Sequence, residues 1–164
     1  MRLHFNVRTK LKTIIILLPF IAFSISSRAE ESKIVEAVRA ADDARVEAMI
    51  AVDTWKLVET LSDQLHYAHS VKFIESKSEH IATLVSKNLI YQSVDYKSRD
   101  FSVVAPGVVV MKGRAIVNVG SKRMIFEVDI NFLGVWRLEN EYWRLYAWQS
   151  SRNVDIVPLG PIEQ

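Results

Sequence analysis

The chain has no cysteine among its 164 residues. Disulfides, thiolate zinc sites and a cysteine nucleophile are therefore excluded, as is a lipid anchor on a new N-terminal cysteine. Glycine occurs only five times, with no glycine-rich phosphate loop among them. There is no G-x-S-x-G elbow, and the Ser, His and Asp residues are too scattered to suggest a triad. No internal repeat and no low-complexity linker interrupts the chain. Acidic residues are absent from the first 29 positions, which carry five basic groups, Arg2, Arg8, Lys10, Lys12 and Arg28. Without that segment the remaining 135 residues hold 16 basic and 19 acidic groups, a net charge of −3. A mildly acidic remainder argues against a nucleic-acid binder, which presents a basic face.

What the first segment does contain is an apolar run from Ile14 to Phe23, broken by Pro19 and followed by Ser27-Arg28-Ala29. A basic flank, a short apolar stretch and small residues before the cut form a secretory signal pattern, with cleavage expected after Ala29. Ten apolar residues are too few to cross a bilayer, which needs about 20. The reading is a cleaved signal at 1–29, a domain at 30–152 and an irregular tail at 153–164. It implies a periplasmic or secreted protein with no stable membrane anchor after cleavage.

Residues 32–51 carry Ile34, Val35, Val38, Ala41, Met49 and Ile50 at helical spacing. Asp53 can cap a short second helix bearing Trp55, Leu57, Val58 and Leu61. Residues 65–70 read as a brief strand. Ser76-Lys77-Ser78-Glu79 has the spacing of a capping box and opens a third helix through Ile81, Leu84 and Val85. From Tyr91 to Ser151, β-branched and aromatic residues alternate with polar ones, the pattern of antiparallel strands. Helices first and a long meander last predict a two-layer α+β domain.

Turn chemistry then predicts registers. A two-residue turn at Gly120-Ser121 pairs Val119 with Lys122. It sets Val117, Ala115, Gly113 and Met111 opposite Met124, Phe126, Val128 and Ile130 on one apolar face. Arg114 then faces Glu127 and Lys112 faces Asp129 on the outer face, each pair worth roughly 0.2–1 kcal/mol. A turn at Asn140-Glu141 pairs Glu139 with Tyr142, Trp136 with Leu145, Gly134 with Ala147 and Phe132 with Gln149. Ala105-Pro106-Gly107-Val108 suits a type II turn, which brings Asp100, Ser102 and Val104 to the apolar face.

The run Tyr67-Ala68-His69-Ser70, Ser76-Lys77 opening a helix, Trp136 with Trp143, and Trp148-Gln149-Ser150-Ser151 resemble the SnoaL-like domains of the nuclear transport factor 2-like superfamily, specifically the domain-of-unknown-function 4440 type. The resemblance covers about residues 34–152. It implies a cone-shaped, cystatin-like α+β fold, with three N-terminal helices on a strongly curved antiparallel sheet around a pocket. It also implies a homodimer through the outer sheet face. The superfamily holds enzymes as well as non-catalytic members, so fold alone does not decide function. The sequence departs from the family pattern at Val71-Lys72-Phe73, where a glycine-containing turn is common, and at Glu141, where a glycine is usual.

His66-x-x-His69 invites a metal reading, but a separation of three on a strand puts the rings on opposite faces, so no metal is expected there. Leu65, Tyr67 and His69 share a face, and His69 falls close to the position of the carboxylate base in the superfamily's isomerases. His69 is thus the candidate catalytic base; the competing reading is a neutral core histidine bonded to backbone or to Gln149. The expected pocket comprises Tyr67, His69, Asp100, Phe126, Phe132, Trp136 and Gln149. His80 is expected at the surface or in helix packing. Two functions remain open. One is a binding or assembly domain for a hydrophobic small molecule, without catalysis. The other is an isomerase, dehydratase or hydrolase acting on a hydrophobic oxygenated molecule. Neither implies a cofactor.

Overall fold

The computed structural model describes residues 18–71 and 73–154. The basic flank of the leader and the tail beyond Val154 lie outside the described residues. Two compact units are present, Met1–Lys33 and Ile34–Gln164. Helix α1 (Leu18–Ala51) supplies the second unit with its segment from Ile34 onward. No helix among the described residues is long and apolar enough to cross a membrane.

The second unit is a helical layer on a curved six-stranded sheet. Helix α2 (Thr54–Thr60) starts where expected: the Asp53 side chain accepts a hydrogen bond from the Lys56 amide. Helix α3 (Lys77–Val85) opens with the full capping box of Ser76 and Glu79. Six strands follow the order β2-β1-β6-β5-β4-β3. They are β1 (Leu61–Ala68), β2 (Ile74–Glu75), β3 (Ile90–Ala105), β4 (Val108–Ser121), β5 (Met124–Glu139) and β6 (Tyr142–Arg152). β1 begins four residues earlier than the alternation at Leu65 suggests, and takes Leu61 from the expected second helix. It pairs in parallel with β6; the other neighbouring pairs are antiparallel.

One core joins the layers. Val38, Ala48 and Met49 of α1, Leu57 of α2 and Leu84 of α3 pack with Met111, Ala115, Ile130, Phe132, Trp136, Leu145 and Trp148 of the sheet. Each fully buried aliphatic or aromatic side chain here contributes roughly 1.5–3 kcal/mol relative to exposure.

Three registers differ from expectation, each for a definable reason. The β4–β5 turn lies at Lys122-Arg123, and Ser121 pairs with Met124. Gly120 is not a turn residue: a Cβ there would stand 2.1 Å from the Met124 carbonyl oxygen, so glycine permits close backbone approach. The register therefore shifts by an even step that preserves the faces: Val117 meets Val128 and Ala115 meets Ile130. Arg114 still reaches Asp129, diagonally, with Nε at 2.9 Å from Oδ1. Arg114 and Lys112 now sit opposite Asn131 and Leu133, in place of Glu127 and Asp129.

The Asn140-Glu141 turn forms as expected and sets Glu139 against Tyr142 and Trp136 against Leu145. Between Val135 and Trp136 the ladder then slips by a β-bulge, so Gly134 faces Trp148 and Phe132 faces Ser150. That single extra residue turns Gln149 outward, where its amide donates to the Ser150 carbonyl. The Pro106-Gly107 turn also forms, with Gly107 at φ +69°. A bulge between Val103 and Ala105 swaps the parity of β3, so Phe101 and Val103 pack on the core while Asp100, Ser102 and Val104 are exposed.

Candidate functional site

The open end of the sheet encloses a cavity of about 110 Å³. Its apolar wall comes from β3, β4 and β5: Val94, Val117, Val119, Val128 and Ile130, with Trp148 of β6. Polar atoms converge from the helical side and from β1. Arg45 comes from α1, Tyr67 from β1, Tyr91 and Tyr96 from β3, and His69 from the turn leaving β1.

Of the residues expected to form the pocket, Tyr67 and His69 line this cavity. Phe132 and Trp136 lie deeper, buried in the core, with Phe132 stacked on Trp148 at 5.0 Å between ring centroids. Phe126, opposite Val119 near the β4–β5 turn, is 56% exposed and does not line the cavity. Asp100 and Gln149 face outward by the two bulges described above. The residues that replace them, Tyr91, Tyr96 and Arg45, carried no local sequence signal. Their only hint was helical spacing of Arg45 with Met49, and alternation of Tyr91 with Tyr96 spoiled by bulges in β3.

Two polar clusters frame the cavity. The first is built on Asp42 and Arg45, one turn apart on α1 and both essentially fully buried. Arg45 donates through Nη2 to Asp42 Oδ1 at 2.7 Å and through Nε at 3.0 Å. Tyr96 Oη and Arg99 Nη1 donate to Asp42 Oδ2 at 2.7 and 2.9 Å. Burial works against the Asp42 charge, yet Arg45, Tyr96 and Arg99 outweigh it and hold the carboxyl below its ordinary value. With the Arg45 charge paired and its guanidinium 5.1 Å over the Trp148 ring, this cluster is an internal brace.

The second cluster joins β1, β2 and α3. Glu75 Oε2 lies 2.8 Å from His69 Nε2 and 2.8 Å from His80 Nδ1, and Thr83 Oγ1 donates to Oε1 at 2.5 Å. Burial opposes ionisation of Glu75, but these three hydrogen bonds prevail and bring its pKa to about 2. Burial likewise pushes His69 below 6.5, against the pull of Glu75, so the ring is neutral at pH 7. Of the two places expected for His80, the surface and helix packing, it takes the second: it is fully buried where α3 packs on β1, and Tyr67 stacks on it at 4.2 Å. His66 is exposed and far from sharing a ligand with His69, as strand alternation requires. His69, Glu75 and His80 do bring three metal-competent atoms within 4.8 Å of one another, a grouping that no sequence spacing announces.

With Nε2 held by Glu75, His69 keeps Nδ1 as its free ring atom. Tyr67 and Tyr91 are buried, and burial raises both phenols above 10, so they remain protonated donors near neutral pH. Their mutual contact is a long 3.5 Å, which leaves hydrogen-bonding capacity unused.

No protein-family model and no curated protein matches the chain. Solved structures do. An NTF2-like protein of unknown function in nutrient uptake from Rhodospirillum rubrum aligns at a TM-score of 0.66 and 18% identity, over 71% of this chain and 98% of that one. A candidate calcium/calmodulin-dependent kinase II association domain from Exiguobacterium sibiricum aligns at 0.66 and 9% identity, over 73% and 93%. A candidate dehydratase of the NTF2-like family from Streptomyces avermitilis aligns at 0.59 and 16% identity, over 76% and 99%. The fold is therefore the nuclear transport factor 2-like one, as the sequence resemblance implied.

Proposed function

We propose that this chain is an exported module that binds a small hydrophobic molecule carrying an oxygen function. The observation that carries the reading is the cavity itself. Five aliphatic side chains form one wall, and His69, Tyr67 and Tyr91 converge opposite them with hydrogen-bonding capacity to spare. Apolar cavities with a few convergent polar groups are the usual form of small-molecule sites. At about 110 Å³ the space is below the ~150 Å³ that accepts benzene, so the enclosed part of the ligand is at most a single small ring. The SnoaL-like resemblance around Tyr67-Ala68-His69-Ser70 supports the same site.

Thermal-shift measurements with single-ring ketones, phenols and lactones test this. Binding is expected to raise the melting temperature of the wild type, and His69→Ala is expected to remove the response while folding normally. A complete absence of response across the series, with a folded protein, overturns the reading.

One observation favours a second reading, catalysis with His69 as base. Glu75 holds His69 Nε2 at 2.8 Å, the way a carboxylate orients an imidazole for proton transfer. A protonated acid beside a tyrosine, as in ketosteroid isomerase, has no counterpart: Asp42 is held ionised. A buried phenol, Tyr67 or Tyr91, is the donor that remains. Turnover of a bound ligand, lost in His69→Ala, would select this reading over simple binding.

A homodimer through the outer sheet face accompanies the proposal. It is supported by solved neighbours named as association domains and by Leu133, 44% exposed on that face. Light scattering at high concentration is expected to give twice the chain mass; a monomer removes the dimer and leaves the cavity reading intact.

A further inference from the structure

We propose that His69, Glu75 and His80 form a binding site for a divalent transition-metal ion, zinc being the best match. This goes beyond the cavity reading and stands without it. The three side chains come from three places, the end of β1, the two-residue β2 and the first turn of α3, yet all point to one spot. Their ligating atoms lie within 4.8 Å of one another. Two imidazole nitrogens and a carboxylate oxygen are a common protein set for zinc, which then takes a fourth position from water or another oxygen.

Zinc bonds of roughly 2.0–2.1 Å in a tetrahedron separate neighbouring ligand atoms by about 3.3 Å. The two nitrogen–oxygen distances are now 2.8 Å, so each opens by about 0.5 Å, while the two imidazole nitrogens, within 4.8 Å of each other, close by up to about 1.5 Å as the ion enters.

Two further features single out this cluster. Thr83 Oγ1 donates to the other Glu75 oxygen at 2.5 Å, fixing the carboxylate as outer partners of metal ligands do. His80 Nε2 is buried with no hydrogen-bond partner among the described residues. The ring's one hydrogen-bond partner among the described residues is Glu75, reached through Nδ1.

The test is calorimetric titration of zinc chloride into the full chain after treatment with a chelator. One equivalent is expected to bind. His69→Ala should weaken it at least tenfold, while His66→Ala, on the exposed side of β1, should leave it unchanged. Thr83→Val should weaken binding roughly 10–100-fold without removing it. Cobalt(II) added to the wild type gives an independent reading that needs no variant: intense visible bands of tetrahedral cobalt are expected. Absence of those bands together with no zinc heat overturns the proposal, and so does a zinc site that survives His69→Ala or disappears with His66→Ala. None of these outcomes touches the ligand-induced melting shifts, so the site and the cavity reading stand or fall separately.

Discussion

Glu75 is one of the carboxylates whose acidity folding changes most. Its pKa falls from 4.5 to about 2 because the folded state offers it three donors after burial. A lowered carboxyl stabilises the fold above its unfolded value, and that contribution is lost as pH falls from about 4.5 toward 2. The size implied is on the order of 3 kcal/mol. His69 acts in the same direction and earlier. Its folded pKa is below 6.5, so protonation favours the unfolded chain as pH drops below 6.5. Melting temperature followed by circular dichroism from pH 8 to pH 2 should therefore fall in two stages. His69→Gln should abolish the stage beginning near pH 6.5 and keep the acid stage. A single transition below pH 4 in the wild type would mean that His69 titrates as it does in water.

At the scale of elements, hairpin β5–β6 shows which signals a chain displays and which it hides. Asn140 and Glu141 have φ of 49° and 69°, the left-handed pair that a two-residue turn requires. Asparagine tolerates that region; glutamate is strained there by about 1–2 kcal/mol. Glu141→Gly relieves the strain at the cost of a looser unfolded chain, for a net gain of roughly 0.5–1 kcal/mol. Urea unfolding should show a higher midpoint at unchanged slope, and a lower midpoint would refute the turn assignment. This hairpin, the Asp53 cap and the Ser76 capping box were legible because each is settled by residues within four positions of one another. The bulges were not. One extra residue, Tyr146 of β6 against the Val135–Trp136 step, leaves composition and alternation almost untouched, yet it exchanges Gln149 for Ser150 on the inner face. Another at Val103–Ala105 removes Asp100 from the pocket in the same way. The partners of His69 escaped for a related reason. Glu75 and His80 reach it through a turn and a helix rotation that have no periodicity to read.

For the whole molecule, the two compact units divide between Lys33 and Ile34, four residues beyond the cleavage point expected after Ala29. Among the residues whose burial is described, the first buried one of α1 is Val38, nine positions beyond Ala29. Under the export reading, mass spectrometry of protein released from the periplasm should find Glu30 as the first residue, with the melting temperature of the shortened chain unchanged. Recovery of the full-length chain from the inner membrane would overturn export by cleavage.

The parallel pairing of β1 with β6 also governs when the protein can fold. Leu61 finds its partner Leu145 at 84 positions' distance, and apart from the two-residue β2, β1 is joined to the sheet only through that last strand. Closing so long a loop is slow compared with forming the local hairpins of β3 to β6. A ribosome therefore releases nearly the whole chain before the sheet can be completed. Until then the segment from Ile34 to Glu75 has no sheet to settle on, and the nascent protein stays open. Under the export reading, this late closure is a delay built into the topology, one that keeps the chain open while it passes a secretion channel.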